Sequence, residues 1–380
     1  MAKDIAPFHA VKISVRAHEL IAEGRDVIQM QFGQPSTGAP PNAIARAHAI
    51  LDTDPMSYWQ SPALKARISQ LYADRHGVDI APSRVFLTCG ASPALVLALT
   101  QAFAPGDRIA FVRPGYVAYR NTVKALHLDP VEIPAGPETR YQLAASHIEA
   151  LDPAPSGIIV ASPANPTGTI IAPDDLKAIA DVCAARNIRI ISDEIYHSLA
   201  YEGRTASMLE YAPDAYVVNS FSKYFSMVGW RLGWLIAPEA DAAEVDAHIN
   251  NMFLTAPSLS QHAGLVAMDE ADTLDRHVAA YAENRQLLLD ALPAMGLARI
   301  APPDGAFYIY ADVSAFTSDS LAFCMQLLED TGVATAPGID FDPVDGPHHM
   351  RFSFAVSTPQ IKDAIERMRP WFDVRRHGPV

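Results

Sequence analysis

The chain has 380 residues, 49% of them hydrophobic and 19% charged, with a formal net charge of −14. A core of this size predicts a globular protein with one large and one smaller domain, and the acidic charge disfavours nucleic acids and anionic membranes as partners. Three cysteines without a CxxC pair argue against a disulfide framework or a structural zinc site, and because neither a signal peptide nor a membrane span is evident, we expect a cytoplasmic protein.

Short apolar runs alternate with helical stretches through the middle of the chain. The predicted strands cover residues 85–88, 108–112, 157–161, 188–192 and 216–219. Helices are predicted over 92–103 and from Pro173, with two aspartates in its first turn, to about residue 187. Strands and helices at this spacing predict an α/β fold of βαβ units around a mostly parallel sheet.

The pattern changes from about residue 281 onwards. Helices are predicted over 281–292 and 321–330, and strands over 306–310 and 350–354. This α+β pattern predicts a large domain over residues 41–280. The smaller domain would combine residues 1–40 with residues 281–380.

Residues that could contact a ligand through polar side chains or backbone groups follow the carboxyl ends of several predicted strands. They are Gly90, Ala91, Ser92, Tyr116, Asn165, Asp193, Tyr196, Ser220 and Lys223. Ligands of open α/β sheets bind at this edge, where the carboxyl ends of parallel strands meet. The sequence therefore predicts one binding site there.

Lys223 is the most informative of these residues, because it lies in an apolar, aromatic stretch, whereas most of the other six lysines lie in polar or helical sequence. A poorly solvated amine loses its proton more easily and can attack a carbonyl. Ser220 and Arg231 could hold an anionic group such as a phosphate at a fixed distance from that amine. A carbonyl and a phosphate on one small molecule suggest pyridoxal phosphate, although a lone lysine is more often a surface residue.

With these residues in view, the chain resembles the class I/II aminotransferases, which are fold-type I pyridoxal-phosphate enzymes. The resemblance covers essentially the full length. Its markers, in chain order, are Phe32-Gly33-Gln34-Pro35, Gly90-Ala91-Ser92, Arg113-Pro114-Gly115-Tyr116, Asn165-Pro166-Thr167-Gly168, Asp193-Glu194-Ile195-Tyr196, Ser220-Phe221-Ser222-Lys223, Gly229-Trp230-Arg231-Leu232-Gly233-Trp234 and Arg351-Phe352-Ser353-Phe354-Ala355. Each marker alone is weak, but all of them in this order are specific.

The resemblance implies a role for each residue around the cofactor ring. Lys223 would form the Schiff base with pyridoxal 5'-phosphate and then move the substrate's proton. Asp193 would keep the ring nitrogen protonated, Tyr196 and Asn165 would donate hydrogen bonds to the ring oxygen, and Tyr116 would stack on the ring. The Asn165-Pro166 peptide bond is cis in the family.

The resemblance also implies a phosphate site. The helix start at residues 90–92 would offer free backbone N–H groups, and Ser220 and Arg231 would add a hydroxyl and a guanidinium. Ser222 matches a less constant position, so it ranks below Ser220. Tyr58 resembles a tyrosine that reaches the phosphate of the neighbouring subunit, which implies a homodimer with its sites at the interface.

The substrate's α-carboxylate would be bound by Arg351, with Asn165 and the backbone of Gly33 beside it. Arg16 could pair with a second carboxylate and favour aspartate or glutamate, but we favour a surface position for it. Asp342 replaces a glycine that is common in relatives, and no function follows from the sequence for that change. The sequence therefore does not determine which side chain the substrate carries.

The function implied is transfer of the amino group of an L-amino acid to a 2-oxo acid by a ping-pong mechanism. A C–S β-lyase acting on a cysteine-type substrate is the alternative, although Ala164 and Ile170 replace a histidine and a tryptophan that such relatives often carry. A non-enzymatic regulator that binds the cofactor to control DNA binding is disfavoured by the acidic charge. It is also disfavoured because the chain begins almost directly at the aminotransferase-like segment.

Overall fold

The computed structural model describes residues 5–377. The helices are α1 His9–Ala22, α2 Pro41–Leu51, α3 Pro62–His76, α4 Ala91–Ala102, α5 Val117–Ala125, α6 Ala145–Glu149, α7 Pro173–Ala185, α8 Ala242–Met252, α9 Ser258–Ala267, α10 Ala271–Ala291, α11 Ser320–Thr331 and α12 Thr358–His377. The strands are β1 Ile28–Gln29, β2 Val85–Thr88, β3 Arg108–Arg113, β4 Asp129–Pro134, β5 Gly157–Ala161, β6 Arg189–Asp193, β7 Tyr216–Ser220, β8 Gly233–Ile236, β9 Tyr308–Asp312, β10 Val333–Ala334, β11 Ala336–Pro337 and β12 His349–Ser353. In this part of the chain, no helix combines the length and apolar character needed to cross a membrane.

A seven-stranded sheet lies at the centre, in the order β2-β8-β7-β6-β5-β3-β4. Every pair is parallel except those of β8, which runs antiparallel to both β2 and β7. Two large apolar clusters include side chains from these strands, which is why β2 and β5 are nearly continuous apolar runs. The predicted α/β fold with a mostly parallel sheet is confirmed.

The predicted strands lie within two residues of the observed ones, and 85–88 and 157–161 have the predicted bounds. Strands β4 and β8 were not predicted. The prediction for α10 was wrong at its start, because the helix begins at Ala271 rather than at residue 281. Its first ten residues are mostly exposed or half-buried, with Leu274 as their buried apolar side chain, so they carry little of the periodicity that marks a helix.

Two smaller sheets lie in the rest of the chain, and one of them joins the N-terminal and C-terminal segments. Strands β9, β12 and β11 form an antiparallel sheet in the order β11-β12-β9, and β1 pairs in parallel with β10. The pairing of β1 with β10 connects residues 28–29 to 333–334, as the predicted smaller domain requires. The domain boundaries stay a prediction, and the one between 280 and 281 falls inside α10.

Asn284 on α10 offers a test of how this helix is held. Its buried Nδ2 donates to the carbonyls of Phe354 and Val356, at 3.0 and 2.7 Å. We expect Asn284→Ala to lower the free energy of unfolding by about 1–3 kcal/mol, because two buried carbonyls lose their donor. Gln286→Ala, an exposed change on the same helix, should cost less than about 0.5 kcal/mol in the same urea titration. Equal effects of the two substitutions would contradict the prediction.

Candidate active site

A cavity of about 340 Å³ lies at the carboxyl ends of β3, β5, β6 and β7, and the three-stranded sheet closes its other side. It collects most of the predicted site residues. Those in its wall are Gly33, Ala91, Ser92, Tyr116, Asn165, Asp193, Tyr196, Ser222, Lys223, Arg231 and Arg351. Residues more than 300 positions apart in the sequence therefore share one site.

Lys223 projects into this cavity from the segment after β7. Its Nζ donates to the carbonyl oxygen of Gly33 at 2.5 Å. Burial, followed by the positive charges of Arg351 and Arg231, lowers the pKa of Lys223 to about 8, although Asp193 acts in the opposite direction. A fraction of the amine is therefore neutral near physiological pH.

Asp193 ends β6 and faces the cavity. Its Oδ2 accepts a hydrogen bond from the hydroxyl of Tyr119 at 2.5 Å, and its Oδ1 accepts one from the backbone N–H of Ile195 at 3.3 Å. Burial raises the pKa of Asp193, while these two donors and Lys223 limit the rise. Tyr119 was missed by the sequence analysis, although its place three residues after Tyr116 puts both on one face of α5.

The start of α4 and Arg231 form a positively charged end of the cavity. The helix begins after Gly90, which has a φ of +102°, and no side chain caps its first N–H groups. A Cβ at Gly90 would lie 2.6 Å from Nη2 of Arg231, so only glycine allows the guanidinium this close to the helix start. Free N–H groups and a guanidinium that converge in this way favour an anion.

Three predicted residues lie outside the cavity wall, among the residues that the structure describes. Gly90 lies directly against the guanidinium of Arg231. The hydroxyl of Ser220 accepts the backbone N–H of Ser222 at 3.1 Å, and Ser222 is the serine that lines the cavity. The ranking of Ser220 above Ser222 for phosphate binding stays a prediction. Tyr58 is 80% exposed and lies away from the cavity of its own chain.

Arg351 lies opposite, on β12, and is almost fully buried. Its Nη2 donates to the carbonyl of Gln31 at 2.6 Å and its Nη1 to Oδ1 of Asn165 at 2.8 Å. The buried Nε has no hydrogen-bond partner within residues 5–377. A guanidinium has five N–H donors, so this one keeps unused donors for an anionic ligand. The Asn165–Pro166 bond is cis.

Tyr308 on β9 is a second residue that the sequence analysis missed. Its hydroxyl and that of Tyr196 are 2.6 Å apart and share a hydrogen bond. The ring packs under the guanidinium of Arg351, 4.4 Å from its Cζ, and its hydroxyl occupies the space that a side chain at Gly33 would need. Tyr308 thus contacts three predicted site residues at once.

The rest of the cavity wall is largely apolar. Phe8 and Phe32 contribute two rings whose centroids are 6.5 Å apart, and Leu95, Ala118, Ile195 and Val228 are further wall residues. In the described part of the chain, the cationic residues of the wall are Lys223, Arg231 and Arg351. Arg16 lies elsewhere, because its Nε donates to Glu329 at 2.5 Å, which matches the surface position that we favoured.

Comparisons with known proteins place this chain in a family. Residues 25–368 match the sequence model of aminotransferase class I and II. The chain is 46% identical to a valine–pyruvate aminotransferase of Mycobacterium tuberculosis, across 97% of this chain and 96% of that protein. Crystal structures of an aminotransferase from M. tuberculosis (45% identity, TM-score 0.95, 97% of both chains) and of an aspartate aminotransferase from Thermotoga maritima (28%, 0.91, 97% and 98%) share the fold.

The lowered pKa of Lys223 predicts a selective reaction of its amine. In the protein without any bound ligand, acylation of Lys223 should reach half its maximal rate near pH 8, because the neutral amine is the nucleophile. Lys177, whose pKa is raised by Asp181, should react only at much higher pH. Peptide mass spectrometry of protein labelled across a pH series measures both. Parallel curves for the two lysines would contradict the prediction.

Proposed function

The chain belongs to the class I and II aminotransferases and catalyses amino-group transfer, and we propose that the cavity described above is its active site and binds pyridoxal 5'-phosphate. One observation carries this proposal. An amine of lowered pKa, on Lys223, lies in the same cavity as a carboxylate, Asp193, and an anion-binding helix start with Arg231.

The residues present fit this cofactor group by group. Lys223 would hold the aldehyde carbon covalently, and the start of α4 with Arg231 and Ser222 would hold the phosphate. Asp193 would accept the N–H of the ring nitrogen, and Tyr116 supplies an aromatic surface between these two ends. Once bound, the cofactor would supply an electron sink for the carbanion that forms at the substrate's Cα.

Asp193 is suited to keep a proton on a ring nitrogen. Its raised pKa makes it a more basic acceptor than an exposed aspartate, and a positively charged partner stabilises its ionised form. The hydroxyl of Tyr119 and the N–H of Ile195 fix the orientation of the carboxylate. Tyr119 would therefore act on the reaction through Asp193.

Lys223 would also move the proton during the reaction. The burial that lowers the pKa of Lys223 in the empty cavity would favour a free amine able to accept and return a proton. The carbonyl of Gly33, which accepts its Nζ at 2.5 Å, gives the amine a defined position. The hydroxyl of Tyr196, which burial keeps protonated by raising its pKa, would donate to the ring oxygen beside it.

Arg351 would bind the substrate's α-carboxylate through its unused N–H donors. Amino acids and 2-oxo acids both carry this carboxylate, so one guanidinium can serve both halves of a ping-pong reaction. Asn165 and the carbonyl of Gln31 hold the guanidinium in place.

The apolar wall favours substrates with an uncharged side chain. With Arg231 and Arg351 assigned to phosphate and α-carboxylate, no described cation of the wall is left for a second carboxylate. The segment around Tyr58, which we expect to approach a neighbouring subunit's site, adds none, because residues 47–64 contain neither lysine nor arginine. We therefore propose apolar amino acids as donors, which agrees with the valine and pyruvate named for the relative from M. tuberculosis.

A homodimer is part of the same proposal. Tyr58, Met252 and Leu254 are exposed large side chains. Their segments are joined, since Oγ of Ser258 donates to the carbonyl of Ser57. Pairing of this surface with a second copy would carry Tyr58 to the partner's phosphate site. The cytoplasmic location and the exclusion of nucleic-acid and membrane partners stay predictions from the sequence.

The β-lyase alternative gains no support. The relatives reported above are aminotransferases, and Ala164 and Ile170 lack the side chains that such lyases often carry.

The covalent role of Lys223 predicts the effect of one substitution. Lys223→Ala should abolish amino-group transfer and the visible absorption band of the lysine-bound cofactor, since both need the amine. Lys177→Ala, an exposed change, should leave both unchanged. A Lys223→Ala protein with normal turnover would overturn the assignment of the site.

The apolar wall predicts the order of substrates. With pyruvate as acceptor, kcat/KM for valine should exceed that for aspartate by on the order of 100-fold, because the second carboxylate would be desolvated without a cation. Steady-state assays with valine, isoleucine, aspartate and glutamate give this ratio. Equal or better use of aspartate would contradict the proposed substrate class.

A further inference from the structure

The guanidinium of Arg351 lies between two aromatic rings. Its Cζ is 4.4 Å from the ring centroid of Tyr308 and 4.7 Å from that of Phe341. Both distances allow cation–π attraction. Tyr308 belongs to β9, whereas Phe341 lies in a loop between β11 and β12. The position of Arg351 therefore depends on how that loop is held.

The Phe341 loop is fastened to the end of β3. The backbone N–H of Gly115 donates to the carbonyl of Phe341 at 3.0 Å. One residue further on, both carboxylate oxygens of Asp342 accept Nη1 of Arg113 at 3.0 Å. Asp345 accepts the same Nη1 at 3.2 Å. The seven-stranded sheet and the three-stranded sheet are thus joined beside the cavity.

Asp342 is buried and Arg113 is half-buried, whereas Asp345 is exposed. The side chains of Arg113 and Asp342 are 16% and 3% exposed, and that of Asp345 is 66% exposed. Burial opposes the charge of Arg113, but the two carboxylates outweigh it and raise the pKa of Arg113. Because a contact between less exposed charges is screened less by water, Asp342 should matter more than Asp345.

Asp342 also shapes its own loop. Its Oδ1 accepts the backbone N–H groups of Val344 and Asp345, at 2.8 and 3.1 Å. A glycine at this position, as is common in the family, would supply neither these bonds nor the pairing with Arg113. Asp342 therefore links its loop to Arg113 at the end of β3, a link that a glycine could not make.

We propose that Asp342 is a positioning residue for substrate binding. Through Arg113 it holds Phe341 against the guanidinium of Arg351 and so sets the affinity for the substrate's α-carboxylate. The same pair also stabilises the turn from Arg113 to Tyr116, and the ring of Tyr116 lines the cavity where the cofactor is proposed to bind. This inference rests on the proposed role of Arg351 as the carboxylate clamp.

The test uses the holoenzyme and separates binding from turnover. Asp342→Asn and Arg113→Met should each raise KM for the donor amino acid about tenfold with kcat within about twofold, because ground-state and transition-state binding are lost equally. Isovalerate, a branched carboxylate without an amine, should show the same rise in Kd when titrated against the visible band. Asp345→Asn, the exposed partner of the same arginine, is the matched control and should keep wild-type values.

Two further variants test whether Arg113 and Asp342 act together as an ion pair or affect the structure separately. The double variant Arg113→Met with Asp342→Asn should be no worse than either single variant, because the two side chains act as one unit. Arg113→Lys keeps the charge and should stay within about threefold of the wild-type KM. If Asp342→Asn does not fold, the contrast between Arg113→Met and Arg113→Lys decides the question.

Wild-type KM and Kd in Asp342→Asn, additive losses in the double variant, or a fall confined to kcat would each overturn the inference. The variant Arg351→Lys shows which of the two proposed roles is wrong, that of Asp342 or that of Arg351. If Arg351→Lys weakens isovalerate binding while Asp342→Asn does not, the role of Asp342 is wrong and the clamp stands. If neither weakens it, the proposed role of Arg351 is wrong as well.

Discussion

The site depends on keeping one lysine amine reactive in a field of other charges. Burial and two guanidinium groups push the pKa of Lys223 down to about 8, and Asp193 opposes them. These guanidinium groups have a second use, because Arg231 and Arg351 each face a part of the cavity suited to an anion. A bound phosphate or carboxylate would neutralise part of their field. Ligand binding and the proton affinity of Lys223 are therefore coupled electrostatically.

The fold makes this arrangement possible by bringing two sheets to one cavity. Parallel strands β5, β6 and β7 deliver Asn165, Asp193 and Lys223 to a common edge. The antiparallel pair β9 and β12 delivers Tyr308 and Arg351 from the other side. The segment around Gly33 runs between them and accepts the lysine amine through its backbone. Lys223 and Asp193 thus reach the cavity from one sheet, and Arg351 reaches it from another.

Much of the fold and the placement of the site could be predicted from the sequence. Buried parallel strands are short apolar runs, and the residues that line the site come directly after them in the chain. Other features could not be read in this way. Tyr119 and Tyr308 resemble ordinary core tyrosines until their hydroxyl partners are known. Which of Ser220 and Ser222 lines the cavity depends on side-chain direction at the end of β7. Asp342 pairs with Arg113, which lies 229 positions away in the sequence, and only the tertiary structure shows this pairing.

The uncapped first turn of α4 links this site to the lifetime of the protein. Its N–H groups have no side-chain acceptor, so an anion bound there completes the helix. A ligand that binds only the folded state adds about 2.7 kcal/mol of stability at a hundredfold excess over its Kd. A freshly made chain without cofactor would populate open forms more often and meet proteases in that state. The amount of folded protein in a cell would then follow the supply of this ligand as well as the rate of synthesis.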